Sequence, residues 1–142
     1  MVEIVRLVKL VKLVIMVTIT RLEDLEVWQE AKKLCSGVYI LTSNYPKSEE
    51  YILRKHLRES ARGVASNIGE GFGRYFFREN LRFYGIAKGC LGEVKSDLYL
   101  SFDVGYFKKD LLDRFIKQVD KVELKLNGLI SNVVKAMKKH GQ

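Results

Sequence analysis

From Lys109 to Lys138 the chain carries Leu112, Phe115, Val119, Val122, Leu126, Leu129, Val133 and Ala136 at spacings that alternate between three and four residues. That rhythm draws one apolar seam along a long α-helix, and such a helix is stable in water only if other helices cover the seam. The chain holds a single proline, Pro46, so long helices are unobstructed nearly everywhere. Covering partners must therefore come from the rest of the sequence.

Three further helical patterns supply them. Trp28, Ala31, Cys35, Val38 and Thr42, with Leu34 and Leu41 beside them, predict a first helix from Asp24, as N-cap, to about Ser43. Asn44 to Ser48 reads as a turn around Pro46, with Ser48 placed to cap a second helix and Glu49 and Glu50 favouring its positive end. Leu57, Ser60, Ala61, Val64 and Ile68 carry that helix to about Gly69. There Gly69, Gly71 and Gly73 predict a turn that carries Glu70, with Asn67 just before it and available to tie the turn to a neighbouring helix. A third helix is expected from Phe76 to about Phe102, with Phe77, Tyr84, Ala87, Leu91, Val94 and Leu98 inward and Gly105 as its stop. On that helix Gly85, Gly89, Gly92 and Ser96 form a second row. Each helical glycine costs about 1 kcal/mol relative to alanine, so the row suggests close approach of another helix. No alternating strand pattern competes after Thr20. The expected fold class is all-α, an antiparallel up-and-down four-helix bundle over residues 22–138, with an N-terminal extension at 1–21 and a short tail at 139–142.

The extension has a texture of its own. Arg6, Lys9 and Lys12 interrupt its apolar run, leaving Leu13 to Thr20 uncharged, which is short of the roughly 20 apolar residues that span a bilayer. No small-residue cleavage site follows before Glu23 and Asp24. A surface helix and a strand are both compatible with the composition. Met16 is an alternative start to Met1. The expected location is cytoplasmic, with no membrane partner.

A formal charge of +8 favours anionic partners, nucleic acid first, against the plain alternative of scattered surface lysines. Two candidate basic lines stand out. Arg54, Arg58 and Arg62 recur every fourth residue with Lys55 beside them, and Arg74, Arg78 and Arg82 do the same among Phe72, Tyr75, Phe76, Phe77, Phe83 and Tyr84. Arginines so spaced share a helix face, and neighbouring aromatics could stack on unpaired bases. The competing reading, favoured for the aromatics, places them in the core or a subunit interface. Lys135, Lys138 and Lys139 add cations near the end of the last helix.

Catalytic chemistry finds little purchase. Position 53 is Leu and position 137 is Met, so neither His56 nor His140 completes a Glu-x-x-His pair, and no metal site or cofactor is expected. His56 reads as a hydrogen-bonded boundary histidine, and no catalytic residue is assigned. Cys35 and Cys90 stand in no Cys-x-x-Cys arrangement and read as buried free thiols. The segment around Glu70 lacks the spacing of a phosphate loop and follows a helix.

The order Leu57-Arg58-x-x-Ala61-x-x-Val64-x-x-Asn67-Ile68-x-Glu70-Gly71, then Arg82 to Gly89 and Glu93, resembles the 23S ribosomal RNA intervening-sequence proteins. Leu25-x-Val27-Trp28-Gln29-x-Ala31 and Tyr45-Pro46-x-x-Glu49 carry the same resemblance, which spans roughly Leu22 to Met137. Gly63, Gly69, Cys90 and Lys95 depart from the common pattern. The resemblance implies a left-handed four-helix bundle, assembly into ring-like homopentamers, and a bacterial, non-enzymatic role associated with RNA or DNA. It also makes Trp28, Asn67, Glu70, Gly71, Gly89 and Glu93 structural signature positions. Similar bundles accompany reverse transcriptases of diversity-generating retroelements, so a protein-interaction scaffold or accessory subunit of such an enzyme is the alternative expectation.

Overall fold

The computed structural model describes residues 2–7 and 19–141. Most of the apolar extension, including the alternative start at Met16, lies outside the described residues; residues 2–7 are helical. Among the described residues the fold is all-helical, with no strand. Four long helices follow in order: α1 Glu26–Thr42, α2 Leu53–Phe72, α3 Phe77–Asp103 and α4 Lys109–Lys139. Single 3-10 turns at Leu22–Asp24 and Lys47–Glu49 lead into the first two.

Each helix packs on its neighbours in sequence, and α1 also packs on α4, which closes the set around one core. Cross-helix pairs fix the register: Glu26 with Lys125 and Glu30 with Gln118, Ser60 with Glu93 and His56 with Asp97, Phe77 with His140 and Lys95 with Asp120. In every such pair of helices one residue number rises as the other falls. Leu34 and Val38, Leu57 and Ile68, Leu91 and Leu98, and Val119 and Leu126 are at most 2% exposed, so all four apolar stripes meet. Burying each such side chain contributes about 1.5–3 kcal/mol.

Several local expectations are corrected. Asp24 does not cap α1: it ends the first 3-10 turn, whose closing bond, Leu25 N–H to Leu22 O at 3.0 Å, lets Leu25 and Val27 enter the core. The buried stripe of α1 is accordingly rotated towards Val27, Glu30, Ala31, Leu34, Val38 and Leu41, leaving Trp28 and Cys35 half-buried at its edge. Ser48 caps nothing; the carboxylate of Glu49 accepts from Leu53 N–H at 3.1 Å instead. Gly69 and Gly71 lie inside α2, and the helix ends only at Gly73.

The glycine rows exchange roles. A Cβ on Gly71 would stand 2.7 Å from Tyr84 Cε1, and one on Gly63 would stand 2.8 Å from Cys90 Sγ, so α2 meets α3 closely at both. A Cβ on Gly85, Gly89 or Gly92 would meet nothing within 4 Å. Those three lie opposite the stripe of Tyr84, Ala87, Leu91, Val94 and Leu98 that the core claims, so among the described residues no helix approaches them. Gly105 does stop α3, at φ +85°, and the Tyr106 N–H to Ser101 O and Gly105 N–H to Phe102 O bonds complete a glycine C-cap.

Candidate nucleic-acid interface

The short connection from α2 to α3 gathers cations and aromatics at one end of the molecule. Gly73 closes α2 and Asn80, one turn into α3, donates from Nδ2 to Gly71 O at 2.6 Å and to Arg74 O at 2.9 Å. This side chain fastens the connection, a role the sequence reading missed because the acceptors are main-chain groups. Nothing in the residue types at 71 and 74 advertises them.

On this frame Phe83 is half-buried between two guanidinium groups, Arg74 at 4.9 Å and Arg82 at 4.5 Å from its ring centre. Arg74 also pairs with Glu70 at 2.5 Å and Arg82 with Glu79 at 3.4 Å. Arg78 is exposed and, among the described residues, has no ion pair or hydrogen bond. Tyr84 is 2% exposed and half-buried Phe72 packs against the core, so the core reading holds for those two aromatics, whereas Phe77, expected inward, is half-buried at the end of the bundle against His140. Two others lie outside this chain's core. Tyr75 is 91% exposed and Phe76 63%, their rings edge to face at 5.3 Å, where they hold apolar area in water next in sequence to Arg74 and close to Arg78 along the chain. The end of α4 reaches the same place, since His140 stacks on Phe77 at 6.1 Å, and it brings Lys138 and Lys139 with it.

Arg54, Arg58 and Arg62 form a separate group near the start of α2, facing the last turns of α1. Arg54 Nη2 donates to Tyr45 O at 2.6 Å; Arg58 donates from Nε to Thr42 Oγ1 at 2.7 Å and from Nη2 to Tyr39 O at 3.1 Å. These two arginines satisfy carbonyls around the end of α1, where cations also complement the helix dipole. Arg62 is exposed and, among the described residues, has no ion pair or hydrogen bond. The six candidate arginines therefore fall in two groups, one towards each end of α2.

The signature positions are structural in several ways. Trp28 packs against the core edge beneath Lys32, whose Nζ lies 5.2 Å from the ring centre. Asn67 does not bridge helices: its Nδ2 donates to Gly63 O at 2.8 Å within α2. Glu70 pairs with Arg74 across the helix end, Gly71 admits Tyr84, and Gly89 lies open to solvent. Glu93 accepts from Ser60 Oγ at 3.0 Å and lies 3.7 Å from His56 Nε2.

His56 is the boundary histidine expected. Its Nδ1 lies 2.5 Å from Asp97 Oδ2, and that hydrogen bond raises the imidazole pKa above its ordinary value; the charges of Asp97, Glu93 and Glu59 add to the rise and burial opposes it. Burial pushes Tyr84 up to about 12 and raises the Cys35 and Cys90 thiols. Hydrogen bonding from Gln118 holds the Glu30 carboxyl below its ordinary value, although the residue is only 8% exposed. Among the described residues no cluster of three or more His, Cys, Asp or Glu side chains could hold a metal ion, and no helix is long and apolar enough to cross a membrane.

A family model described as 23S rRNA-intervening sequence protein matches residues 23–128. Among solved structures, the chain is similar to a protein of unknown function from the S23 ribosomal protein family of Bacteroides thetaiotaomicron, with a TM-score of 0.68 at 14% identity. That match covers 74% of this chain and 95% of the other, and at such identity it concerns the fold alone. No curated protein matches the chain.

Proposed function

We propose, from the premise that the chain belongs to the 23S rRNA-intervening sequence protein family, that it is a homo-oligomeric antiparallel four-helix bundle which binds nucleic acid, RNA first, and acts by binding rather than by catalysis. The observation that carries the reading is the α2–α3 end, where exposed Tyr75 and Phe76 stand beside the uncommitted Arg78 and the Arg74–Phe83–Arg82 stack. Cations attract the phosphate track, and exposed rings give unpaired bases a surface to stack on. The opposed numbering along α1 and α4, α2 and α3, and α3 and α4 supports the up-and-down topology. The open outer face of α3, with Gly85, Gly89 and Gly92 uncovered and Ile86, Tyr99 and Leu100 exposed, supports a second copy as its cover.

Fluorescence anisotropy with single-stranded RNA, duplex RNA and duplex DNA at low and physiological salt tests the reading. Replacing Arg74, Arg78 and Arg82 together by Ala is expected to weaken binding while the helices stay folded, and to flatten the log-log salt slope by about 2 to 3 through lost counterion release. Undiminished affinity in the folded triple variant removes this end from the function. Light scattering that returns a monomer removes the oligomer. An accessory role beside a reverse transcriptase would instead appear as capture of that enzyme by Tyr75 and Phe76 without affinity for nucleic acid.

A further inference from the structure

Between the last turns of α1 and the first turns of α2 lies a cleft of about 430 Å³, walled by Tyr39, Tyr51, Arg54, Lys55, Arg58 and Arg62. Glu50 and Glu59 also line it, so four cations face two acids. Lys55 and Glu59 are only loosely paired, at 3.9 Å across two exposed side chains. The cleft is thus net positive, in a place the α2–α3 end does not reach: from Arg62 to the end of α2 at Phe72 is about 15 Å of helix, at 1.5 Å per residue.

Its cations differ in how they are held. Arg58 is locked on three sides, by Thr42 Oγ1, by Tyr39 O, and by the Tyr39 ring 4.7 Å beneath its guanidinium. A guanidinium carries five N–H donors, and these contacts leave some of them free while fixing their direction. Arg62, one turn on, is exposed and makes no ion pair among the described residues. The Nε of Arg54 is shielded from solvent without a hydrogen-bond partner among them. Opposite these cations Tyr51 stands 80% exposed, so its ring faces are open. A solvated surface explains loose lysines. The end of α1 accounts for how Arg58 is held, but not for Arg62, which has no ion pair among the described residues, or for a phenol held out in water at the same cleft.

We propose that this cleft is a nucleotide subsite for single strands, in which Arg58 and Arg62 hold a phosphate and Tyr51 stacks on the adjoining unpaired base. The subsite rests on the reading of the chain as a nucleic-acid-binding protein and names the form of nucleic acid it takes. A base within a duplex is already stacked on both faces and offers Tyr51 nothing, whereas every unpaired base has a free face. An anion without a base would engage the arginines alone.

The test is calorimetric titration of the full chain with a single-stranded RNA pentanucleotide, a blunt RNA duplex and inorganic pyrophosphate, for the wild type and the Tyr51→Ala, Tyr51→Phe and Arg62→Ala variants. Tyr51 and Arg62 are exposed, and far-ultraviolet circular dichroism confirms that each variant is folded. Tyr51→Ala is expected to weaken the pentanucleotide about ten-fold, the loss of one stacked base, while leaving pyrophosphate unchanged; Tyr51→Phe keeps the wild-type affinity. Arg62→Ala is expected to weaken the pentanucleotide and pyrophosphate alike. An unchanged pentanucleotide affinity in Tyr51→Ala overturns the subsite, and so does a duplex that feels the substitution as strongly as the single strand. If strand binding is lost in the Arg74, Arg78 and Arg82 variant but not in either cleft variant, the subsite falls and the wider reading stands. If the wild type binds no strand at physiological salt, both fall.

Discussion

Gly69 and Gly71 lie two residues apart in α2, and replacing each by Ala should move stability in opposite directions. Alanine is favoured over glycine in a helix by about 1 kcal/mol, somewhat less this close to the helix end. At Gly69 the new methyl would meet Leu22 Cδ2 at 3.4 Å and Trp28 Nε1 at 3.9 Å, which are ordinary contacts, so the gain survives. At Gly71 it would meet Tyr84 Cε1 at 2.7 Å, Tyr84 Cδ1 at 2.9 Å and Phe83 Cβ at 3.0 Å. Tyr84 is 2% exposed and cannot swing away, so α2 and α3 must separate or the ring must leave its rotamer, at a cost of about 1–3 kcal/mol. Subtracting the propensity gain leaves Gly71→Ala destabilised by up to about 2 kcal/mol. An unfolding entropy of about 2.1 cal/mol/K per residue makes 1 kcal/mol worth about 3 °C in a chain of this length. Thermal melts followed by circular dichroism at one protein concentration should therefore show Gly69→Ala raised by about 2–3 °C and Gly71→Ala lowered by up to about 6 °C. A Gly71→Ala protein as stable as Gly69→Ala would refute the close approach of α2 and α3 and everything argued from it.

Three further perturbations probe the same frame. His56 bridges α2 to α3, and its raised pKa means that the bridge stabilises fully below the unfolded value of about 6.5 and is lost as pH rises through the folded one. The urea midpoint of the wild type should fall relative to His56→Gln above that pH, by under about 1 kcal/mol because the imidazole is half exposed; a difference that stays flat with pH contradicts the bridge. Asn80→Ala removes both bonds that fasten the α2–α3 connection, and should cost about 1–2 kcal/mol in urea unfolding and speed amide exchange at Arg74 to Phe76; unaltered exchange there would count against it. With both thiol pKa values raised by burial, Cys35 and Cys90 should alkylate at pH 8 more slowly in native protein than in urea, and equal rates would show that neither is sheltered.

The apolar stripes of α2, α3 and α4 were legible because a helical period repeats locally, and each repeat adds independently to the same signal. Gly105 was legible for a similar reason, since a positive φ at a helix end selects glycine whatever surrounds it. The first turn of α1 was not, because Asp24 is a good cap by type and lost only to the burial of Leu25 and Val27. The candidate site divides along the same line. Arg74, Arg78 and Arg82 were visible as a spacing, but their different fates, two stacked on Phe83 and one without an ion pair among the described residues, depend on a ring and two acids that spacing does not rank. Arg54 and Arg58 looked equally free and are engaged with the end of α1.

The sequence by itself determined that four long helices would form between residues 22 and 141 and which stripe of three of them would be buried, because periodicity and the cost of exposing apolar area are properties of a segment and water. Only the tertiary structure decided which glycines are needed. Gly71 and Gly89 are the same residue in equally helical surroundings, yet one has Tyr84 against it and the other has open space. That difference belongs to the neighbouring helix, and no count along a single helix contains it.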